Sequence, residues 1–291
     1  MYTPVLRTIS ALLIAGAVAG AAGCRGQQDN EPAVATPSLT LNKDRVPIGS
    51  AVTLTYKFVV APNARFAKDY WIFVHVLDPD GEQMWTDDHL PPTPTTQWQP
   101  GQTIEYKRTI FVPNYPYIGE AVVRLGMYDR ETNTRLVLNA PEASRREYVV
   151  QRFQILASSE NIFTITESGW HPAEVDPKNP QNEWNWTEKT ATTRFRNPKK
   201  PVTLYIQYDA RPDLFPAPQQ VVLRIRDQVI AQFAADSKAP ALKTFDLTPE
   251  QLGTADMVDL VFEVDKTFKP GGTDPRELGI RIFHVYIEPK P

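Results

Sequence analysis

"DYWIFVHVLDPDGEQMWTDD", residues 69–88, reads as a strand, a tight turn and a returning strand. Trp71 to Leu77 is a near-continuous apolar run of strand length, rich in β-branched and aromatic residues. The Asp78-Pro79-Asp80-Gly81 turn that follows places Asp-Gly between two apolar segments, a strong hairpin signal. Working outward, Val52, Leu54, Tyr56 and Phe58 alternate with Thr53, Thr55 and Lys57, the period of a half-buried strand entered through the turn "VPIGS". Downstream, "GQTIEYKRTIFVP", "GEAVVRLGMYD", "TRLVLN" and "REYVVQRFQIL" extend the pattern. Residues 38–157 thus hold about eight strands and no helical period, at the turn spacing of an immunoglobulin-like sandwich.

Residues 158–291 repeat the style. "NIFTITESGW", "TATTRFR", "PVTLYIQYDA", "QVVLRIRDQVIAQF", "ALKTFDL", "MVDLVFEVD" and "LGIRIFHVYIEP" all read as strands. Val202, Leu204, Ile206 and Tyr208 are expected on one face, and Val221, Leu223 and Ile225 inward with Arg224 and Arg226 outward. In "LTPEQLGTADM" a single helical turn is predicted, with Thr248 as N-cap and Pro249 at the first helical position. The expected architecture is all-β: two tandem immunoglobulin-like or jelly-roll-like antiparallel sandwiches. The 27 prolines suit many short strands joined by turns, and a single cysteine leaves both cores to packing without a cross-sheet disulfide.

That cysteine, Cys24, follows Arg7, an apolar stretch from Ala11 to Ala22, and the small residues Ala21, Ala22 and Gly23. The stretch has the length of a signal-peptide core and is too short to span a bilayer. The junction resembles the lipobox of bacterial lipoproteins, with Ala21 where that family prefers Leu. The resemblance implies removal of residues 1–23, lipidation of Cys24 and a membrane partner through that lipid. An ordinary signal peptide would instead leave a lone thiol in an oxidising compartment. Residues 24–37 are polar and proline-punctuated, the composition of a flexible tether. Arg25 stands where an Asp commonly retains lipoproteins at the inner membrane, so the family rule sends the protein outward, to the outer membrane of a two-membrane cell. Removing Arg7 from 31 basic residues leaves 30 against 34 acidic ones, a formal charge of −4 without a polybasic face, which disfavours nucleic acid as partner.

Two longer stretches, "WIFVHVLDPDG" through "GEAVVRLGMYDRETNTRL" and "GWHPAE…WNWTEKTATTRF" with "VDKTFKPGGTDPRELGIRI", resemble β-sandwich accessory domains of bacterial cell-envelope glycosyltransferases and related surface-polysaccharide proteins. The resemblance implies a glycan context. It carries no catalytic motif, so no transferase activity is implied.

Candidate sites follow from side-chain chemistry. Trp184 and Trp186 are two apart and share one face of any extended segment; Trp170 precedes them. Flat indoles stack on sugar rings while amides and carboxylates take the hydroxyls, which makes Asn182, Asn185 and Glu188 polar partners. The alternative is that these tryptophans plug the end of the sandwich. Asp78, Asp80, Asp87 and Asp88 are loop carboxylates of the kind that bind Ca²⁺, without an ordered ligand ladder. Otherwise Asp87, Asp88 and His89 form a hairpin exit whose carboxylates accept amide hydrogen bonds. Asp87 with Glu105, or Glu174 with Asp274, would be the carboxylate pairs of a hydrolase. Asp129 and Arg135 are expected to meet across the "YDRETNTRL" turn, and Asp274, Arg276 and Glu277 to form a polar clasp. His284 is expected to be structural.

The expected function is therefore that of a non-catalytic, cofactor-free, lipid-anchored envelope protein, a binding or scaffolding module with a glycan as its favoured ligand. The alternative is a protein–protein module of a secretion or polysaccharide-export assembly, and the third reading a glycan-active hydrolase.

Overall fold

Alternation of buried and exposed side chains builds both halves of the chain. In the computed structural model, which describes residues 31–290, the first half contains nine strands. These are β1 (Ala35–Leu41), β2 (Arg45–Pro47), β3 (Ala51–Val60), β4 (Trp71–Leu77), β5 (Gln83–Thr86), β6 (Thr103–Phe111), β7 (Gly119–Tyr128), β8 (Glu142–Ser144) and β9 (Glu147–Leu156). One sheet runs β1-β3-β6 and the other β2-β9-β7-β4-β5, with β8 on β9. All pairs are antiparallel except β2 with β9, a parallel pair that the expectation of a purely antiparallel sandwich did not contain. Val52, Leu54, Tyr56 and Phe58 of β3 are buried as the alternation requires, and join Val74, Leu125, Met127 and Ile155 of the other sheet in one core.

The 78–81 hairpin forms as expected. Gly81 takes φ +87°, and the Asp78 carboxylate accepts the Glu82 amide at 2.8 Å. Two expectations shift. The first strand of the described residues begins at Ala35 rather than residue 38, because β1 is an edge strand and tolerates Pro37. "TRLVLN" is not a strand; Arg135 and Leu138 make only isolated bridges, to Tyr128 and Ala35.

The second half contains β10 (Thr164–Thr166), β11 (Glu174–Asp176), β12 (Asn179–Trp186), β13 (Thr190–Arg196), β14 (Val202–Asp209), β15 (Gln219–Ile225), β16 (Gln228–Ala235), β17 (Ala241–Leu247), β18 (Met257–Val264) and β19 (Arg281–Pro289). Two five-stranded antiparallel sheets, β10-β13-β18-β15-β16 and β11-β12-β19-β14-β17, enclose a second core. Val202, Leu204, Ile206, Tyr208, Val221, Leu223 and Ile225 are all buried in the expected register. The "QVVLRIRDQVIAQF" run is two strands, since Arg226 adopts φ 54° in a two-residue turn. Thr248 caps α1 (Pro249–Leu252) in a reciprocal capping box with Gln251.

No strand of 35–156 pairs with a strand of 164–289. The halves meet through a small apolar contact of Ala51 and Phe111 with Tyr286, flanked by Tyr205 and Leu242. Within it His284 stacks flat on Phe111, ring centroids 4.1 Å apart and planes 7° apart. Lys43 adds an ion pair to Glu288 at 2.6 Å. Residues 1–30, with the leader, Cys24, Arg25 and the first half of the tether, lie outside the described residues.

Candidate binding cleft between the sandwiches

β5 and β6 belong to opposite sheets of the first sandwich, and the sequence ties them together just where they face the second. Asp87, one residue past β5, accepts Arg108 of β6 through two bonds, Nε at 2.9 Å and Nη2 at 2.6 Å. Such fork-to-carboxylate pairs fix geometry as well as charge. The fully buried Tyr56 donates its hydroxyl to the same carboxylate at 2.9 Å, and burial pushes that hydroxyl's pKa far up. Tyr56 stacks on Tyr106, whose hydroxyl meets His89 Nε2 at 2.7 Å; the other ring nitrogen of His89 bonds the Asp87 carbonyl oxygen. Burial lowers the pKa of His89, so the ring is neutral at pH 7. The cluster is a rigid, internally satisfied wall.

The opposite wall comes from β12, β14 and β19. A register shift between Gln207 and Tyr208 sets His284 opposite Gln207 and Arg281 opposite Asp209. Bulges re-aim side chains in this way. His284 Nδ1 bonds the Gln207 side-chain oxygen at 2.8 Å. Between these walls lies a cleft of about 910 Å³, lined by Asp87 and Arg108 on one side and by Asn182, Glu183, Asn185 and Gln207 on the other. Phe283 contributes apolar surface, with the buried Trp85 behind the lining.

The tryptophans do something else. Trp184 and Trp186 do share a face, but the structure fills that face with Arg281, whose guanidinium lies 4.8 Å from one ring centroid and 5.5 Å from the other. Arg281 is anchored by a two-pronged ion pair to Asp209, a carboxylate only 1% exposed. Trp186 is 8% exposed and packs edge-on against Phe268, and the Trp184 indole donates to Glu174 at 3.2 Å. Trp170 turns its ring edge-on to Phe262 of the core and donates to the Thr192 carbonyl. The expected exposed platform of Trp184, Trp186 and Trp170 is therefore corrected: the fold supplies its own cation to the aromatic faces. Asn185 lines the cleft, with its amide nitrogen bonded to the His171 carbonyl, whereas Glu188 is exposed and lies outside it.

The carboxylate sets fare similarly. Asp78 serves the hairpin turn, Asp87 is paired with Arg108, and Asp88 accepts the Val74 amide at 3.0 Å, while Asp80 is exposed in the turn. Among the described residues no three His, Cys, Asp or Glu side chains come together as metal ligands, so the Ca²⁺ expectation for Asp78, Asp80, Asp87 and Asp88 is not met. The hairpin-exit reading describes Asp88 directly. Glu174 and Asp274 do approach one another, but across Arg276, which bonds both. Those bonds hold the Asp274 pKa down to about 2, leaving it no proton to give as a general acid at neutral pH. Asp129 and Arg135 do lie near each other across the turn, where Tyr128 bridges Arg135 and the Asp129 amide donates to the Thr134 carbonyl, but their side chains bond elsewhere, Asp129 to Lys68 and Thr132 and Arg135 to Glu147.

Sequence reasoning had found Asn182 and Asn185 but assigned them to the tryptophans. It missed Gln207, Glu183 and the tie between Asp87 and Arg108, which come from separate strands and share one cleft only in the folded chain. An asparagine every third residue at 179, 182 and 185 was the available signal.

No family model and no curated protein matches the chain. Among solved structures, the chain is similar to an alkylpurine DNA glycosylase from Pseudomonas fluorescens at 12% identity and TM-score 0.30, covering 44% of this chain and 32% of that one. It is similar to a β-glucuronidase from Bacteroides uniformis at 9% identity and TM-score 0.30, covering 88% and 30%. A carbohydrate-binding module of the β-sandwich superfamily is matched at 11% identity and TM-score 0.23, over 88% of this chain and 99% of that one. The chain thus spans about a third of the first two, and likenesses this distant carry no argument about ligand or activity.

Proposed function

We propose that the protein is a non-catalytic, glycan-binding β-sandwich protein of the cell envelope, held at the membrane by lipid on Cys24, with its ligand in the cleft between the sandwiches. The observation that supports the binding role is the cleft's lining. Its amides offer donor and acceptor side by side, the pattern that sugar hydroxyls need, and Phe283 supplies apolar surface for ring C–H faces. Its volume suits a small ligand segment. The reading as non-catalytic rests on the ion pairs that occupy Asp87, Glu174 and Asp274. The anchor and the envelope location rest on the lipobox-like "AAGC" alone. A glycan-array screen of the full chain tests the reading. Binding is expected for wild type and lost in the Asn114→Ala/Asn182→Ala double variant, two exposed cleft residues on facing walls. Full binding by the double variant would move the site elsewhere.

A second reading, an assembly module, is favoured by Phe163, 60% exposed, and Ile165, 51% exposed, at the edge strand β10. Exposed apolar side chains on an open sheet edge suit strand addition by a partner. Co-purification that is lost in Ile165→Lys while glycan binding persists would support it.

A further inference from the structure

We infer that the cleft selects neutral glycans and rejects acidic ones; this rests on the glycan-binding reading above. Among the described residues only four titratable side chains line the cleft: Asp87, Arg108, Glu183 and His284. Arg108, the one permanent cation, gives Nε and Nη2 to Asp87, so its charge is offset inside the wall and its Nε–Nη2 fork is already occupied by a carboxylate, leaving Nη1 as its remaining donor. Glu183 is exposed on the opposite wall and adds an uncompensated negative charge. His284 lies flat on Phe111 with Nδ1 toward Gln207, and its burial keeps it neutral at pH 7. The lining therefore carries one net negative charge, within a chain whose formal charge is −3. A uronate or sulfated sugar entering the cleft would lose water from its charge without meeting a free cation. A neutral sugar loses only hydroxyl hydration, and Asn114, Asn182 and Gln207 replace it with amide donors and acceptors.

The test compares direct binding of the full chain to dextran and chitin oligosaccharides, as neutral probes, with polygalacturonate and alginate, as acidic ones, at low and moderate salt. The expected result is at least about ten-fold tighter binding of a neutral probe, a difference that shrinks with salt as screening takes effect. In Glu183→Lys, at an exposed position, the preference should narrow or reverse. Equal or tighter binding of an acidic probe by wild type overturns the inference and leaves the glycan-binding reading standing. An unchanged preference in Glu183→Lys also overturns it, because cleft charge would then not be the cause. No binding of either kind overturns both.

Discussion

Two neighbouring stretches of β12 and β19 put similar material to opposite uses. At Trp184, Trp186 and Arg281, aromatic faces close on a cation from the same chain, and a buried carboxylate locks that cation in place. At Asn182, Asn185 and His284, polar side chains line open space. An aromatic cluster in a sequence marks a place where something stacks; whether it is ligand or the protein itself depends on the partner strand. Here the box is filled and the cleft is empty of side chains.

The largest effect expected from breaking this contrast is on the filled box. Trp186→Ala removes a buried plug against Phe268 and should cost about 3–5 kcal/mol in chemical denaturation. A loss below about 1 kcal/mol would mean that the box is not packed as described. Asp209→Ala leaves Arg281 without its carboxylate among three aromatic rings and should cost about 3 kcal/mol. Because burial raises the Asp209 pKa despite Arg281, the pair is held by geometry more than by a large electrostatic gain. An Asp209→Ala/Arg281→Met double variant should therefore recover part of the loss.

The contact between sandwiches gives a pH-dependent effect of somewhat smaller size. His284 has a pKa of about 4 in the fold, against 6.5 unperturbed, because burial against Phe111 disfavours its charge. As pH falls below 6.5 the unfolded chain takes up the proton first. Stability present above that pH is thus lost progressively toward pH 4, by no more than about 3 kcal/mol. Subtracting the profile of His284→Asn should isolate this slope, and identical profiles would show that the ring is not sequestered. Smaller still, Thr248→Ala should cost about 1 kcal/mol by removing the cap of α1. Asn182→Ala should change stability by no more than about 0.5 kcal/mol, since its side chain is exposed.

Much of the fold was legible because alternation is local. Tyr56 and Phe58, or Leu204 and Ile206, declare their burial through neighbours one residue away, and Thr248-Pro249 declares a helix start by itself. Two turns marked by Asp-Gly or Pro were visible, but the turn at Arg226 was not, because a non-glycine residue adopts the left-handed conformation there. The site was less legible. Alternation says that Trp184 and Trp186 share a face but not that Arg281, almost a hundred residues later, is laid across it. The cleft walls likewise join Asp87 to Arg108 and Gln207 to His284 through pairing that no local pattern encodes.

The most direct test of the central claim, that ligand enters the cleft and not the aromatic box, is a proton–nitrogen correlation spectrum of the full chain titrated with an array-selected neutral oligosaccharide. Asn side-chain amides and Trp indoles each give their own signal. The account predicts shifts in the Asn114 and Asn182 amide pairs while the Trp184 indole, bonded to Glu174, stays in place. A shifted Trp184 indole with unmoved asparagine amides would contradict it and return the site to the tryptophans.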